Sequence, residues 1–213
     1  MEFIPSLPIL SAFTVAGLIL TLTPGPDMTL FLGRALTQGR AAGMAAMLGA
    51  SSGIVIHTLL AAFGISALIQ ASPTGFLILK VAGALYLLWL AIQAIREGSS
   101  FALESQGSKQ KSLVSNWLTG IGINLLNPKI IIFFITFLPQ FVTTDDPNAA
   151  GKMIFLGFYF ISLAIFCSFF MIVAVDKLSS TLKRNPKVTR VIDWLFAGVF
   201  SAFAVRILIT ERG

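Results

Sequence analysis

Residues 9–32 read ILSAFTVAGLILTLTPGPDMTLFL, and this stretch decides the class of fold. It is longer than the about 20 residues a helix needs to cross a hydrocarbon core, and Asp27 is its single charge. Within it, Thr23-Pro24-Gly25-Pro26-Asp27 sets two prolines around a glycine. Each proline removes a backbone donor and clashes with the preceding turn, and Gly25 adds freedom, so no α-helix runs through unbroken. In lipid such a break is tolerated only where it is buried in protein or lines a watery cavity. The freed carbonyls of Thr23 and its upstream neighbours, and the amides opening the helix that resumes after Pro26, then become ligands for a polar solute. Helix-opening amides suit a carboxylate. The competing reading is a packing kink, with Asp27 an ordinary helix-start residue near the interface.

Five more apolar stretches follow, at 43–69, 76–95, 117–142, 152–175 and 191–210, and the six together take about two thirds of the chain. Of 213 residues, 56% are hydrophobic and 11% charged, about half the usual charged share, and the mean hydropathy is +0.88. A water-soluble globule is excluded, and with it a soluble nucleic-acid binder, which the net charge of +6 alone would have suited. Short connections leave no room for a separate soluble domain. The expected fold is all-α, a polytopic membrane protein of six transmembrane helices. The first ten residues hold Glu2 and no Lys or Arg, and no small-residue cleavage site follows a short apolar core. The first span is therefore expected to stay as a helix and not to leave as a signal peptide.

The distribution of Lys and Arg sets the orientation. Arg34, Arg40, Arg96, Lys109, Lys111, Lys177, Lys183, Arg184, Lys187 and Arg190 fall in the first, third and fifth connections, against Lys152 and Arg212 on the opposite side. Odd-numbered loops are expected in the cytoplasm and both termini outside, which explains the basic balance without a nucleic-acid partner. The lipid bilayer is the partner the composition demands. Two connections are long, 96–116 and 176–190. The first, rich in Ser, Gly, Gln and Lys, reads as a flexible linker dividing the chain into three spans plus three. Because three is odd, homologous halves at about 1–105 and 106–213 would sit upside down relative to each other, the inverted-repeat architecture of many secondary transporters. Breaker placement supports the repeat: Asn127-Pro128 interrupts the first span of the second half as Pro24 to Pro26 interrupt the first.

Charges at membrane depth are costly and mark functional candidates. Around the second break, Asn124 and Asn127 are three apart, each offering two donors and an acceptor, and Pro128 frees the carbonyl of Asn124 four residues back. Lys129 can pair with Asp27, hold a substrate carboxylate, or snorkel to the interface. Lys80, Asp193 and Arg206 sit near span ends and are expected to anchor at the interface. Gly49-Ala50-Ser51-Ser52-Gly53 is a small-residue pattern that lets helices approach closely. His57, one turn beyond Gly53, carries an imidazole that ordinarily titrates near neutral pH, a proton-relay candidate or a buried structural histidine. Tyr86 and Trp89 add aromatic surface for a lining. Leu138-Pro139-Gln140-Phe141 is expected to end its span. A lone Cys167 and a lone His57 exclude a disulfide framework and a His- or Cys-rich metal centre. No nucleotide-binding glycine loop or paired intramembrane carboxylates appear, so neither an enzyme nor a cofactor is expected, and Ser51 and Ser52 lie too close in sequence to His57 for a hydrolase motif.

In Thr23-Pro24-Gly25-Pro26-Asp27, Gly39-Arg40-Ala41-Ala42-Gly43, Gly53 with His57, Lys80 with Gly83, Tyr86, Trp89 and Leu90, Asn124, Asn127-Pro128-Lys129 and Leu138-Pro139-Gln140-Phe141, the chain resembles the lysine exporter superfamily of bacterial amino-acid exporters, in particular its homoserine and threonine resistance branch. The resemblance covers nearly the whole chain as a single translocator domain. It implies an inner-membrane, gradient-driven exporter of neutral or basic amino acids. On that reading Thr23, Pro24, Gly25, Pro26, Asn124, Asn127, Pro128 and Lys129 bind the substrate, and Asp27 or His57 couples proton movement. A passive pore would need a continuous polar stripe, whereas the polar residues cluster at the two breaks; a membrane scaffold would show no dependence on a solute. The oligomeric state stays open between monomer and homodimer.

Overall fold

Helices make up nearly all of the computed structural model, which describes residues 4–65, 67, 72–97, 111–142, 146–175, 177 and 186–210. Helix α1 spans Leu7–Leu22 and α2 spans Pro26–Gln38. Thr23 and Gly25 between them are extended, and the two axes meet at 53°. Pro26 opens α2, where its missing N–H costs nothing because the first donors of a helix have no intrahelical partner. A single residue, Gly39 at φ 91, turns the chain into α3, Arg40–Leu60, which runs on as a wider π turn over Ala61–Ile65. That left-handed conformation is one a Cβ would strain. Helix α4 spans Pro73–Glu97.

The second half repeats this order. Helix α5, Leu113–Leu125, leads to Asn127, and Pro128 opens α6, Pro128–Ile132, which continues through a π turn at Phe133–Phe137 and a tightened turn at Leu138–Phe141. The bend between α5 and this continuation is 55°. Helix α7, Ala149–Val173, and α8, Pro186–Thr210, complete the chain. In both halves a proline stands at the first position of the resumed helix and a charged residue follows it: Pro26-Asp27 and Pro128-Lys129. Much of the linker expected between the halves (98–110) and of the last connection (178–185) lies outside the described residues. Both connections are shorter than the sequence suggested, because α4 persists to Glu97, α5 begins at Leu113 and α8 begins at Pro186. The start of α5 is fixed by Ser112, whose Oγ accepts from the Ser115 amide at 3.1 Å.

Among the described residues, Arg40–Ile65 and Ala149–Val173 are long and apolar enough to cross a bilayer, and each bent pair also qualifies when taken as one span. Helix α7 presents exposed Phe158, Phe166, Phe169 and Phe170. In water such a surface would be a liability; in hydrocarbon it is a lipid face. Helices α4 and α8 pack on each other with Ala84 and Ala204 fully buried. Phe13, Phe133, Phe137, Phe141 and Phe160 pack between α1, the α6 continuation and α7, Phe13 meeting Phe141 edge-on at 5.2 Å between ring centres. The offset and edge-on geometries are those the ring quadrupoles favour.

The closest helix contact joins the halves. At Gly49 a Cβ would lie 2.0 Å from the Trp117 carbonyl oxygen, and at Gly120 one would lie 2.2 Å from the Ala46 carbonyl oxygen. Helices α3 and α5 thus touch backbone to backbone, the close approach that small residues permit in membranes. Nearby, Gln38 Oε1 at the end of α2 accepts from the Lys111 amide at 3.1 Å and from Asn116 Nδ2 at 3.2 Å, tying α2 to the start of α5.

Candidate functional site

The two breaks meet. Asp27 Oδ2 accepts from Asn124 Nδ2 at 2.8 Å and from Asn127 Nδ2 at 3.1 Å. Lys129 reaches the other way, its ammonium donating to the Leu20 carbonyl at 3.1 Å and the Thr23 carbonyl at 2.9 Å. Leu20 lies four residues before Pro24, so its carbonyl is the one that Pro24 leaves without an intrahelical donor. The same relation holds at the second break. Pro128 releases the Asn124 carbonyl, and His57 Nε2 approaches it at 3.4 Å; a carbonyl only accepts, so Nε2 must carry the hydrogen. Each broken helix thus has the carbonyl four residues before its proline approached by a basic side chain from the opposite half, although at the second break that carbonyl also accepts from the Asn127 amide at 3.0 Å.

Local structure explains why these side chains point inward. Asn127 caps α6, its Oδ1 accepting from the Lys129 amide at 3.1 Å, which leaves its Nδ2 free to turn toward Asp27. Gly53 gives Asn124 its room: a Cβ there would lie 2.5 Å from Asn124 Oδ1. Gly25 does the same for Lys129, since a Cβ would come within 3.1 Å of Nζ. Thr23 bends its hydroxyl back to the Ile19 carbonyl at 2.7 Å, leaving its own carbonyl to Lys129. No side chain caps the N-terminus of α2, whereas α6 has its Asn127.

A cavity of about 50 Å³ opens beside this network, lined among others by Leu20, Asp27, Met28, Lys129, Phe160 and Ser168. It has room for one or two waters, less than an amino acid needs. Asp27 Oδ1 is buried without a hydrogen-bond partner, as is Asn124 Oδ1. A buried acceptor without a donor is expensive, and each such oxygen is open to a donor from a ligand or to a proton.

The residues singled out from the sequence therefore converge. Asp27 and Lys129 line the cavity itself; Asn124 and Asn127 reach it through Asp27 and Thr23 through Lys129, while Pro24, Gly25, Pro26 and Pro128 shape the breaks without lining it. Lys129 is the one whose partner differs from the pairing with Asp27 that the sequence allowed, because the freed carbonyls of α1 hold its ammonium. His57 is buried behind Asn124 and stacks on Phe134 at 5.9 Å; it does not line the cavity. Trp89 is exposed on α4, and the side chains of Lys80, Tyr86, Asp193 and Arg206 lie outside the described ones. Sequence reasoning missed the apolar wall of Met28, Phe31, Met47 and Phe160. Ser168, a hydroxyl beside Cys167 in an apolar run, was the available signal on α7.

The family model for LysE type translocators matches residues 18–211. This chain belongs to that family. It is therefore a membrane transport protein and not an enzyme. Among curated relatives, the homoserine/homoserine lactone efflux protein of Salmonella typhimurium is 29% identical over 89% of this translocator and 90% of its own length. The leucine efflux protein of an Enterobacter species is 28% identical over 92% of each chain. An uncharacterised membrane protein of Bacillus subtilis is 26% identical over 92% of this chain and 97% of its own. No solved structure matches the translocator.

Proposed function

We propose that this translocator is a secondary exporter of neutral amino acids, driven by the proton gradient, with its substrate bound between the two breaks, where the cavity widens to admit it. One observation carries the reading: the cavity joins the carbonyl end of α1, the uncapped N-terminus of α2 and the unpartnered Oδ1 of Asp27. A zwitterion needs a cation site and an anion site a few ångströms apart, and a broken helix supplies both, because its upstream carbonyls are partly negative and its downstream amides partly positive. The substrate ammonium belongs at Asp27 Oδ1 and the freed carbonyls, its carboxylate at the amides opening α2.

Asp27 also supplies the coupling. Its Oδ2 is taken by Asn124 and Asn127, so Oδ1 can accept a substrate ammonium or a proton but not both. That competition is what proton-for-substrate exchange requires. His57, behind Asn124, positions the amide that holds Asp27. Asp27 and Lys129 are the charged side chains among the described cavity residues; with no second acid for a cationic side chain, neutral substrates fit better than basic ones, in keeping with relatives named for homoserine and leucine efflux. The aromatic packing of Phe13, Phe133, Phe137 and Phe160 above the site favours a gated carrier over an open pore.

The matching bends of 53° and 55°, the equal 25-residue lengths of α4 and α8, and the paired Pro-Asp and Pro-Lys starts support an inverted repeat of six spans in the cytoplasmic membrane. With odd loops inside, the site is loaded from the cytoplasm. The test is efflux of preloaded labelled homoserine, threonine, leucine and lysine from expressing cells, with and without a protonophore. Protonophore-sensitive efflux of the neutral members is expected; gradient-insensitive equilibration of all four would replace the exporter with a pore.

A further inference from the structure

Resting on the exporter reading, one feature of the site goes further than substrate binding. The carbonyls of Leu20 and Thr23 form a cradle for an ammonium, and an ammonium already sits in it: that of Lys129, at 3.1 and 2.9 Å. We infer that Lys129 is a tethered stand-in for the substrate's amino group, displaced when substrate enters and returning to the cradle when it leaves, so that the empty carrier can reorient.

Three observations carry the assignment. The cradle is built by the protein and is not a chance contact. Pro24 strips the Leu20 carbonyl of its helical donor, Thr23 turns its hydroxyl away to Ile19, and the missing Cβ of Gly25 leaves the space through which Nζ approaches. The second observation is position, since Leu20, Asp27 and Lys129 all line the same cavity, placing the cradle where a substrate ammonium would arrive. The third is chemical identity: a primary ammonium on a flexible four-carbon stem presents the same three donors as an amino acid's α-ammonium. Two ammonium charges a few ångströms apart in one buried cradle repel each other, so substrate entry evicts Lys129.

The consequence concerns the return half of the cycle. A carrier that has released its substrate must pass back through a closed state in which the break is buried. Without a donor, the two carbonyls would be buried unsatisfied, which raises the barrier to that passage. Lys129 supplies the missing donors from within. Loss of its ammonium should therefore hinder the reorientation of the empty carrier far more than that of the loaded one, whose substrate brings its own donors.

The test uses purified full-length protein in liposomes, with labelled homoserine and labelled leucine as probes. Net flux is measured into empty vesicles, and exchange into vesicles preloaded with the same unlabelled amino acid. For Lys129→Met the ratio of net flux to exchange should fall by about tenfold or more relative to wild type, the scale set by two orphaned buried carbonyls. Lys129→Arg, which keeps a cation and its donors, should restore much of the ratio. Net flux and exchange falling together in Lys129→Met, or neither falling, would overturn the inference.

A separate measurement stands independent of transport. Propylammonium chloride should raise the melting temperature of Lys129→Ala in detergent and leave wild type unmoved, with sodium chloride at equal strength as control. No rise in the variant would likewise overturn the cradle. Should wild type move neither amino acid in either assay, the exporter reading fails, and the propylammonium result alone decides whether an ammonium site exists.

Discussion

Replacing Gly49 with alanine asks whether the α3–α5 seam holds the site together. The new Cβ would lie 2.0 Å from the Trp117 carbonyl oxygen, 2.8 Å from its carbon and 3.0 Å from its Cα, all backbone atoms that no rotamer change can move. Carbon–oxygen contacts settle at about 3.3–3.6 Å, so the two helices must part by about 1.3 Å. Asn124 rides on α5, while Asp27 rides on α2, which packs on α3. If even half of the parting reaches them, the 2.8 Å bond from Asn124 to Asp27 stretches past hydrogen-bonding range. The overpacking costs about 1–3 kcal/mol, and weakening a hydrogen bond to a carboxylate about 1.5–3 kcal/mol more. The expected variant inserts in the membrane, melts earlier in detergent and exports about tenfold more slowly or worse. Gly122→Ala is the control, because on the facing helix α5 its Cβ meets nothing within 4 Å. Thermal unfolding and cell efflux, both normalised to membrane content, give the comparison. A Gly49→Ala protein that melts and exports like Gly122→Ala would refute the claim that this seam sets the geometry of the site.

Other substitutions probe the site directly. Asp27→Asn keeps an acceptor for Asn124 and Asn127 but removes the ionisable oxygen; downhill amino-acid efflux should persist while its sensitivity to a protonophore disappears, and retained gradient dependence would exclude Asp27 as the coupling group. Pro24→Ala restores an N–H that competes for the Leu20 carbonyl and evicts Lys129, so efflux should drop about tenfold with normal insertion; unchanged efflux would mean the break is a packing kink. Away from the site, Lys152 donates to Asp146 Oδ2 and holds that carboxyl below its usual range. A lowered pKa in the folded state means the pair stabilises above the ordinary carboxylate range and fades as pH falls through the lowered value. Asp146→Asn should therefore melt slightly below wild type at neutral pH, with the gap closing in acid; a gap that widened in acid would contradict the sign.

The sequence made the breaks legible because prolines in an apolar run have few physical meanings. Pro24, Pro26 and Pro128 interrupt their helices where expected, Leu138-Pro139-Gln140-Phe141 ends its run, and Gly49 and Gly53 sit at the tight seam their spacing suggests. The polar residues at the breaks also find one another, since nothing else at that depth satisfies them. Partner choice was not legible. Lys129 had Asp27, a substrate carboxylate and the interface as candidates, and only geometry selects the Leu20 and Thr23 carbonyls, which are backbone atoms and carry no sequence signature. The cavity wall escaped for a related reason: Met28, Phe31 and Phe160 look like any other apolar residues until α2 and α7 are brought together. Helix ends were misjudged where polar residues continue a helix beyond its apolar run, as at Leu113 and Pro186.

The reciprocal wiring of the two breaks also bears on how the protein is made. Asp27 waits for Asn124 and Asn127, 97 and 100 residues downstream, and Leu20 waits for Lys129, 109 residues downstream. A ribosome feeding the chain into the bilayer therefore delivers a charged, interrupted helix long before its partners exist, at an insertion cost of about 2.5–3.5 kcal/mol for the carboxylate alone at the helix centre. The early segments have reason to linger at the insertion machinery or in a provisional topology until α5 and α6 emerge. A nascent chain stalled before Asn124 would hold Asp27 and the Leu20 carbonyl without the partners that the finished protein gives them.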